Sequence, residues 1–302
     1  MMPPPTPGWG VVSIESAAEE IRSMRVRGAA KIGRYAAQAL GDMPWDGRDE
    51  TLEAAANALK AARPSAVSLP NAVDFVVREA KKGPRPGSLG AAAAEFERRA
   101  AGALTSIAQN GAALVEDGMT ILTICNSQGA LAPLFEAARQ GRRFHVIALE
   151  TRPWRQGLLT VAQLAKEGID ASLAVDSAAW SLLPECDLVL TGADSIARNG
   201  DVINKVGTGG LGVLARERGV PQYCCAETFK LHPRAATGAD VPIEEREVAE
   251  VVAPGDIPAT VRVRNPVFDV TDHRLVRGYV TELGVLGRDE MVASAQRAWG
   301  WA

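Results

Sequence analysis

The residues of this chain that could do chemistry stand at a few points. In Ile121-Leu-Thr-Ile-Cys125-Asn-Ser127-Gln-Gly129 an apolar run of strand character stops at a cysteine followed by small and polar residues. A thiol just before a helix start sits in an electropositive place that favours the thiolate, which can act as base or nucleophile. Asp194, in Thr191-Gly-Ala-Asp194-Ser, follows another apolar run and offers a carboxyl for acid or base work. Arg27, Arg63, Arg152, Lys205 and Lys230 come from separated segments and are the side chains that would meet an anion. Each also has a plain reading: buried cysteine is common in cores, and an aspartate near a helix start is often a cap.

The elements that must position these groups follow from periodicity. The stretch from about 14 to 116 is rich in Ala, Glu, Arg and Leu, and helical spacing is found over 16–24, 29–40, 50–62, 72–82 and 91–115. After Gly118, β-rich runs at 120–125, 144–149, 171–175, 188–190 and 222–226 alternate with helical stretches such as 131–140, 160–167 and 211–218. That rhythm predicts an α/β chain: an N-terminal helical domain, 1–117, and a parallel sheet wound with helices, of the Rossmann-like kind, over 118–302. In such sheets ligands bind beyond the carboxyl ends of the strands. Those ends read Cys125-Asn-Ser, Glu150-Thr-Arg-Pro, Asp176-Ser, Thr191-Gly-Ala-Asp194 and Glu227-Thr-Phe-Lys230, so a thiol, carboxylates and cations are expected on one rim.

Composition narrows the function classes. The 302 residues are 47% hydrophobic, which supplies a sizeable core. A formal charge of −3 argues against a general nucleic-acid binder, which would carry a basic footprint. No apolar run is long enough to span a bilayer, and Met1-Met-Pro-Pro-Pro-Thr-Pro7 lacks the basic and apolar parts of a signal peptide and reads as a short, poorly ordered tail. The four cysteines form no C-x-x-C pair and fit reduced thiols in a cytoplasm; the three histidines form no metal-ligand spacing.

Two glycine stretches each allow two readings. Arg25-Val-Arg27-Gly28-Ala29-Ala30 leads into a helix, either as a phosphate seat at the free N–H groups or as a helix–helix turn. Arg63 ends another helix, where its charge also complements the dipole. Gly207-Thr-Gly-Gly-Leu-Gly212 matches the dinucleotide spacing but is expected to follow a turn and a short connection rather than a strand. The alternative is a helix start that holds an anion with Lys205.

The combination of Arg27-Gly-Ala29, Arg63-Pro, Thr-Ile-Cys125-Asn-Ser, Glu150-Thr-Arg-Pro-Trp-Arg-Gln156-Gly, Gly192-Ala-Asp194-Ser, Asn199-Gly-Asp-Val-Ile-Asn204-Lys205 and Ala226-Glu-Thr-Phe-Lys230 resembles the family uniting sugar-1-phosphate isomerases with the regulatory subunits of the exchange factor of translation initiation. The likeness runs from about residue 14 onward. Gly-Ala-Asp-Ser, Ala226-Glu-Thr-Phe-Lys-Leu-His-Pro and Asn265-Pro-Val-Phe-Asp269 are most similar to the branch that turns ribose 1,5-bisphosphate into ribulose 1,5-bisphosphate in AMP salvage. The resemblance implies Cys125 as proton acceptor, Asp194 as proton donor, and Arg27, Gly28, Ala29, Ala30, Arg63, Arg152, Gln156, Asn204, Lys205 and Lys230 as substrate-binding residues. It implies a phosphorylated sugar substrate, a nucleotide activator, and a homodimer through the C-terminal domain that assembles into a hexamer. No metal, cofactor, nucleic acid or membrane is implied.

Ile124 stands where relatives usually carry His, and Asp201 is similar to the methylthioribose-1-phosphate branch. Isomerisation of that substrate and a non-catalytic subunit sensing a nucleotide or sugar phosphate are the alternatives. The chemistry implied accounts for the residue types. A sugar phosphorylated on its anomeric oxygen cannot open by losing the O1 proton, so an acid must protonate the ring oxygen before a base takes the proton at C2. The acid role calls for a neutral carboxyl, held so by burial.

Overall fold

The computed structural model describes residues 12–26, 28–63, 66–83 and 87–301. The expected N-terminal tail and Arg27 lie outside the described residues. The chain divides into two compact units, 1–101 and 102–302, with the division inside one helix.

In the first unit the Ser13 side chain caps α1 (Ile14–Arg22) by accepting from the Ser16 N–H, and Ile14, Ala17, Ala18 and Ile21 form its buried face at helical spacing. It is followed by α2 (Ala29–Gly41), α3 (Asp49–Ala61) and α4 (Ser68–Lys81), and by the start of α5 (Ser88–Ala112). Helix α4 begins four residues before the expected 72 because Pro70 lies in its first turn, where a missing N–H costs nothing. Helices α2 and α4 approach closely at Gly33, where an added Cβ would lie 2.8 Å from the Ser68 carbonyl oxygen.

The second unit contains β1 (Thr120–Ile124), α6 (Gln128–Arg139), β2 (His145–Leu149), α7 (Gly157–Lys166), β3 (Asp170–Ala174), α8 (Ala179–Leu182) and β4 (Leu188–Thr191). After these come β5 (Ser195–Ile196), β6 (Val202–Lys205), α9 (Thr208–Arg218), β7 (Gln222–Cys225), β8 (Phe268–Thr271), β9 (Gly278–Thr281), β10 (Gly284–Leu286) and α10 (Arg288–Trp299). The main sheet has the order β10-β9-β7-β4-β1-β2-β3 and is parallel except for β10. Alternate residues of β1 enter opposite layers: Ile121 packs with Leu131 and Leu134 of α6, whereas Leu122 and Ile124 pack with Leu211 and Ala215 of α9. Helices thus cover both faces, as the alternating rhythm predicts.

The structure adds what periodicity does not announce. Strands β5, β6 and β8 form a separate antiparallel sheet, and β9, β10 and α10 close the chain. The expected turn and connection over 199–205 therefore contains a strand, β6. Its apolar run is too short to read as one, and it includes Asn204, a buried amide whose Nδ2 donates to Thr208 Oγ1 at 3.0 Å.

Candidate functional site

The chain travels outward from β1 through β2 to β3, then returns to lay β4 on the other side of β1. The order of a wound parallel sheet reverses there, and a crevice opens beyond the carboxyl ends of the two strands. Cys125 is the first residue after β1, and Asp194 is the third after β4. Both are half-buried.

Cys125 adopts a left-handed backbone conformation, φ 71°. Its N–H donates to Thr151 Oγ1 at 2.8 Å, its carbonyl accepts from Thr160 Oγ1 at 2.7 Å, and its thiol donates to Gln156 Oε1 at 3.4 Å. Ser127 caps α6 by accepting from the Ala130 N–H. Gly192, beside Asp194, has no room for a side chain: a Cβ would lie 2.1 Å from Ser127 Oγ and 3.9 Å from Asn204 Oδ1. Ser127, just past β1, and Asn204 of β6 thus both lie near Gly192, just past β4.

Electrostatics tie the same groups together. Burial pushes the Cys125 thiol up to about 11; Lys205 pulls against it and Asp194 adds to the rise. The expectation that the helix start would favour a thiolate is corrected: the thiol is held in its protonated form near neutrality, since desolvation, with Asp194, outweighs Lys205 and the Asn126 N–H. Lys230 is 5% exposed and its Nζ lies 2.8 Å from Glu227 Oε2. Burial alone would lower its pKa, but Glu227, with Asp194 and Cys224, holds it above the ordinary value. Lys230 is therefore a paired cation facing Asp194 rather than a solvated one.

Cys125, Gln156, Asp194, Asn204, Lys205 and Lys230 all belong to the second unit, and contacts or charge interactions link most of them. Arg152 is exposed, and its guanidinium donates to the carbonyls of Val251 at 3.0 Å and Pro153 at 3.2 Å. Gly28, Ala29, Ala30 and Arg63 belong to the first unit; Gly28 precedes α2 at φ 90°, and Ser68 Oγ donates to the Ala29 carbonyl at 2.6 Å.

The glycine motif takes a third form. Gly207 follows β6 by one residue and opens α9, so it does come after a strand, though an antiparallel one. The anion at this helix start is internal: Asp269 Oδ2 accepts from the N–H groups of Gly207 at 2.8 Å and Gly209 at 3.1 Å. Neither a dinucleotide nor a free phosphate is needed to satisfy these donors.

Thr151, Asp176 and Glu227 stand in the strand-end stretches expected from sequence on the rim, though with no role given to them there, and the Glu227–Lys230 spacing is a further signal, since residues three apart in a helical turn are neighbours. Thr160 and Asp269 carry no such signal. Among the described residues, Asp201, Asp272 and His273 bring ligand-type atoms together, within 4.8 Å. Their oxygens are engaged: Asp201 accepts from Asn199 Nδ2, Gly238 N, His273 N and His273 Nδ1, and Asp272 is held by Arg274. The group fastens turns to one another. All four cysteines are free.

Comparison with known proteins gives concordant findings. The model of the Initiation factor 2 subunit family matches residues 25–288. A ribose 1,5-bisphosphate isomerase of Archaeoglobus fulgidus is 42% identical over 276 residues, covering 89% of this chain and 88% of the relative. A methylthioribose-1-phosphate isomerase of Gemmatimonas aurantiaca is 42% identical over 296 residues, covering 91% and 85%. The crystal structure of the translation initiation factor eIF-2B of Pyrococcus horikoshii OT3 superposes with a TM-score of 0.80 at 30% identity, covering 91% of this chain and 96% of that one.

Proposed function

The chain belongs to the Initiation factor 2 subunit family, and from that membership together with the paired thiol and carboxyl we propose that it is an aldose–ketose isomerase converting α-D-ribose 1,5-bisphosphate to D-ribulose 1,5-bisphosphate in AMP salvage. The observation that carries the reading is the placement of Cys125 and Asp194 at the ends of the two strands that flank the switch point, close enough for each charge to act on the other. A non-catalytic sensor has no need of an acid–base pair.

In this reading Asp194 gives its proton to the ring oxygen as the C1–O bond opens. Cys125, as thiolate, takes the C2 proton and leaves an enol phosphate. Return of that proton to C1, with the C2 hydroxyl proton passing to Asp194, yields the ketose and restores both groups. Lys205 and Lys230 supply positive charge for phosphate, Asn204 and Gln156 hydrogen bonds, and Arg152, Arg27, Arg63 and residues 28–30 complete the substrate set. No cofactor takes part. The same reading carries a homodimer assembling into a hexamer, activation by a nucleotide such as AMP, and a cytoplasmic location, which the four free thiols support. Light scattering with and without AMP measures the assembly.

Burial holds the free thiol up near 11, so the active form, thiolate with protonated Asp194, grows with pH for as long as Asp194 keeps its proton, and kcat/KM is expected to rise by up to about tenfold per pH unit over that range and to level off above it. Cys125→Ser should abolish the rise, and a variant that kept the wild-type profile would remove the thiol from the base role.

The Gemmatimonas relative, equally identical, favours a second reading in which methylthioribose 1-phosphate is the substrate. Assaying ketose formation from both sugars decides between them. Lys230 separates them further, provided its partner is considered. Lys230→Met alone strands Glu227 in the interior, a loss of about 3–5 kcal/mol in stability. The pair Lys230→Met, Glu227→Gln avoids that. It should raise KM for ribose 1,5-bisphosphate about tenfold to a hundredfold, as expected for losing one charge-assisted contact to phosphate, with a smaller effect on methylthioribose 1-phosphate. Equal weakening of both, or a wild-type preference for the methylthio sugar, ends the bisphosphate assignment and leaves the isomerase class standing.

A further inference from the structure

Two neighbouring strands of the main sheet end in the same unusual way. Cys125, just after β1, has φ 71°, and Thr151, the second residue after β2, has φ 64°. A left-handed conformation is uncommon for any residue with a side chain and is an outlier for a β-branched one such as threonine. Such strained residues persist only where their surroundings over-determine them, and they cluster at functional sites.

Here the surroundings are explicit. Asp176, the second residue after β3, accepts with Oδ1 from the Thr151 N–H at 2.7 Å and with Oδ2 from the Arg152 N–H at 2.8 Å. A single carboxylate thereby holds two successive backbone donors across Thr151. The Thr151 hydroxyl, 1% exposed as a residue, donates to the Leu149 carbonyl at 3.0 Å. With its donor so committed, its lone pair is directed to the Cys125 N–H at 2.8 Å. From the other side, Thr160 Oγ1 donates to the Cys125 carbonyl at 2.7 Å, and Asn126 Nδ2 donates to that hydroxyl at 3.0 Å. The ends of β1, β2 and β3 are joined in one line: carboxylate, threonine, cysteine.

We propose that Asp176 and Thr151 are positioning residues which lock the left-handed backbone of Cys125 and so aim its thiol at Gln156 and into the crevice beside Asp194. The inference rests on Cys125 being the base of the proposed isomerase. Its physical content is that a strand continuing past Ile124 with ordinary dihedrals would turn the cysteine side chain elsewhere. Misplacement of a reacting group by as little as about 1 Å costs on the order of a hundredfold in rate. The hydrogen bonds of Asp176 go to the backbone N–H groups of Thr151 and Arg152, so it reaches Cys125 through Thr151.

The test uses the full chain with Thr151→Val, Thr151→Ser and Asp176→Asn. Valine keeps the β-branch but cannot accept from the Cys125 N–H, serine keeps the hydroxyl, and asparagine keeps the shape but can accept only one of the two N–H bonds. Thr151→Val is expected to lower kcat by about thirtyfold or more with KM within roughly threefold, and Asp176→Asn by about tenfold, while Thr151→Ser recovers to within about threefold of wild type. The second readout is alkylation of Cys125 by iodoacetamide, followed by mass spectrometry of its peptide. Released from its lock, the thiol gains solvent and ionises more readily, so alkylation at about pH 8 should quicken at least roughly fivefold in the valine and asparagine variants. Loss of folding stability alone does not produce this pattern of serine rescue with a conserved KM. The proposal is overturned if Thr151→Val retains wild-type kcat and alkylation rate, or if Thr151→Ser is as impaired as Thr151→Val. Should Thr151→Val fail to fold, Asp176→Asn carries both readouts. If the wild type turns over neither sugar, the isomerase reading fails, and the alkylation rates still decide whether the line of hydrogen bonds holds the thiol.

Discussion

Replacing Cys125 by serine should lower kcat by about a hundredfold or more while leaving KM close to that of the wild type, since a positioned base contributes roughly that much. Serine preserves the size of the side chain and can still donate to Gln156 Oε1, the partner of the thiol at 3.4 Å. What it lacks is an ionisable group: a hydroxyl cannot be deprotonated by the surroundings that hold the thiol near 11. The residual rate should lose the alkaline rise expected of the wild type, because the group responsible for it is gone. A variant that kept most of its kcat would make the thiol structural and end the mechanism proposed above.

Asp194→Asn is expected to abolish turnover to an even greater degree, by about a thousandfold, within the range of general acid catalysis. Asparagine keeps the shape and can still form hydrogen bonds, but it has no proton to give to the ring oxygen. Asp194 when charged only raises the Cys125 pKa, so asparagine cannot make the thiolate harder to form, and Cys125 should be alkylated at least as fast as in the wild type. Turnover lost under that condition points to the acid and not to the base. Exchange of the C2 proton with solvent should vanish as well, because ring opening precedes it; exchange that persisted would move Asp194 out of the acid role.

Much of this architecture is legible in the residue order because it depends on local period. Ile121, Leu122 and Ile124 are apolar in succession since β1 is buried on both faces by α6 and α9, and a run of that kind followed by Asn126, Ser127 and Gly129 marks a strand end and a helix start. The same reading found the ends of β4 and β7, and with them Asp194 and Lys230. It missed β6 because four residues including a buried asparagine carry no clear alternation. It took the Gly207 motif for a possible anion seat because the occupant, Asp269, is 62 residues away.

That distance is the general reason for the division between the two sources. The amino-acid order by itself determined the helical first segment, the wound parallel sheet and the appearance of a thiol and a carboxyl at strand ends, all of which follow from side-chain periods of two and 3.6 residues. Only the tertiary structure decided that Lys230 is buried against Glu227, that Cys125 is a protonated thiol with its pKa near 11, and that its backbone is held by Thr151, 26 residues on, which is held in turn by Asp176 a further 25 along. Charge state and strain are set by what surrounds a group in space, and desolvation and backbone hydrogen bonds of this kind exist only once the sheet has placed β1, β2 and β3 side by side.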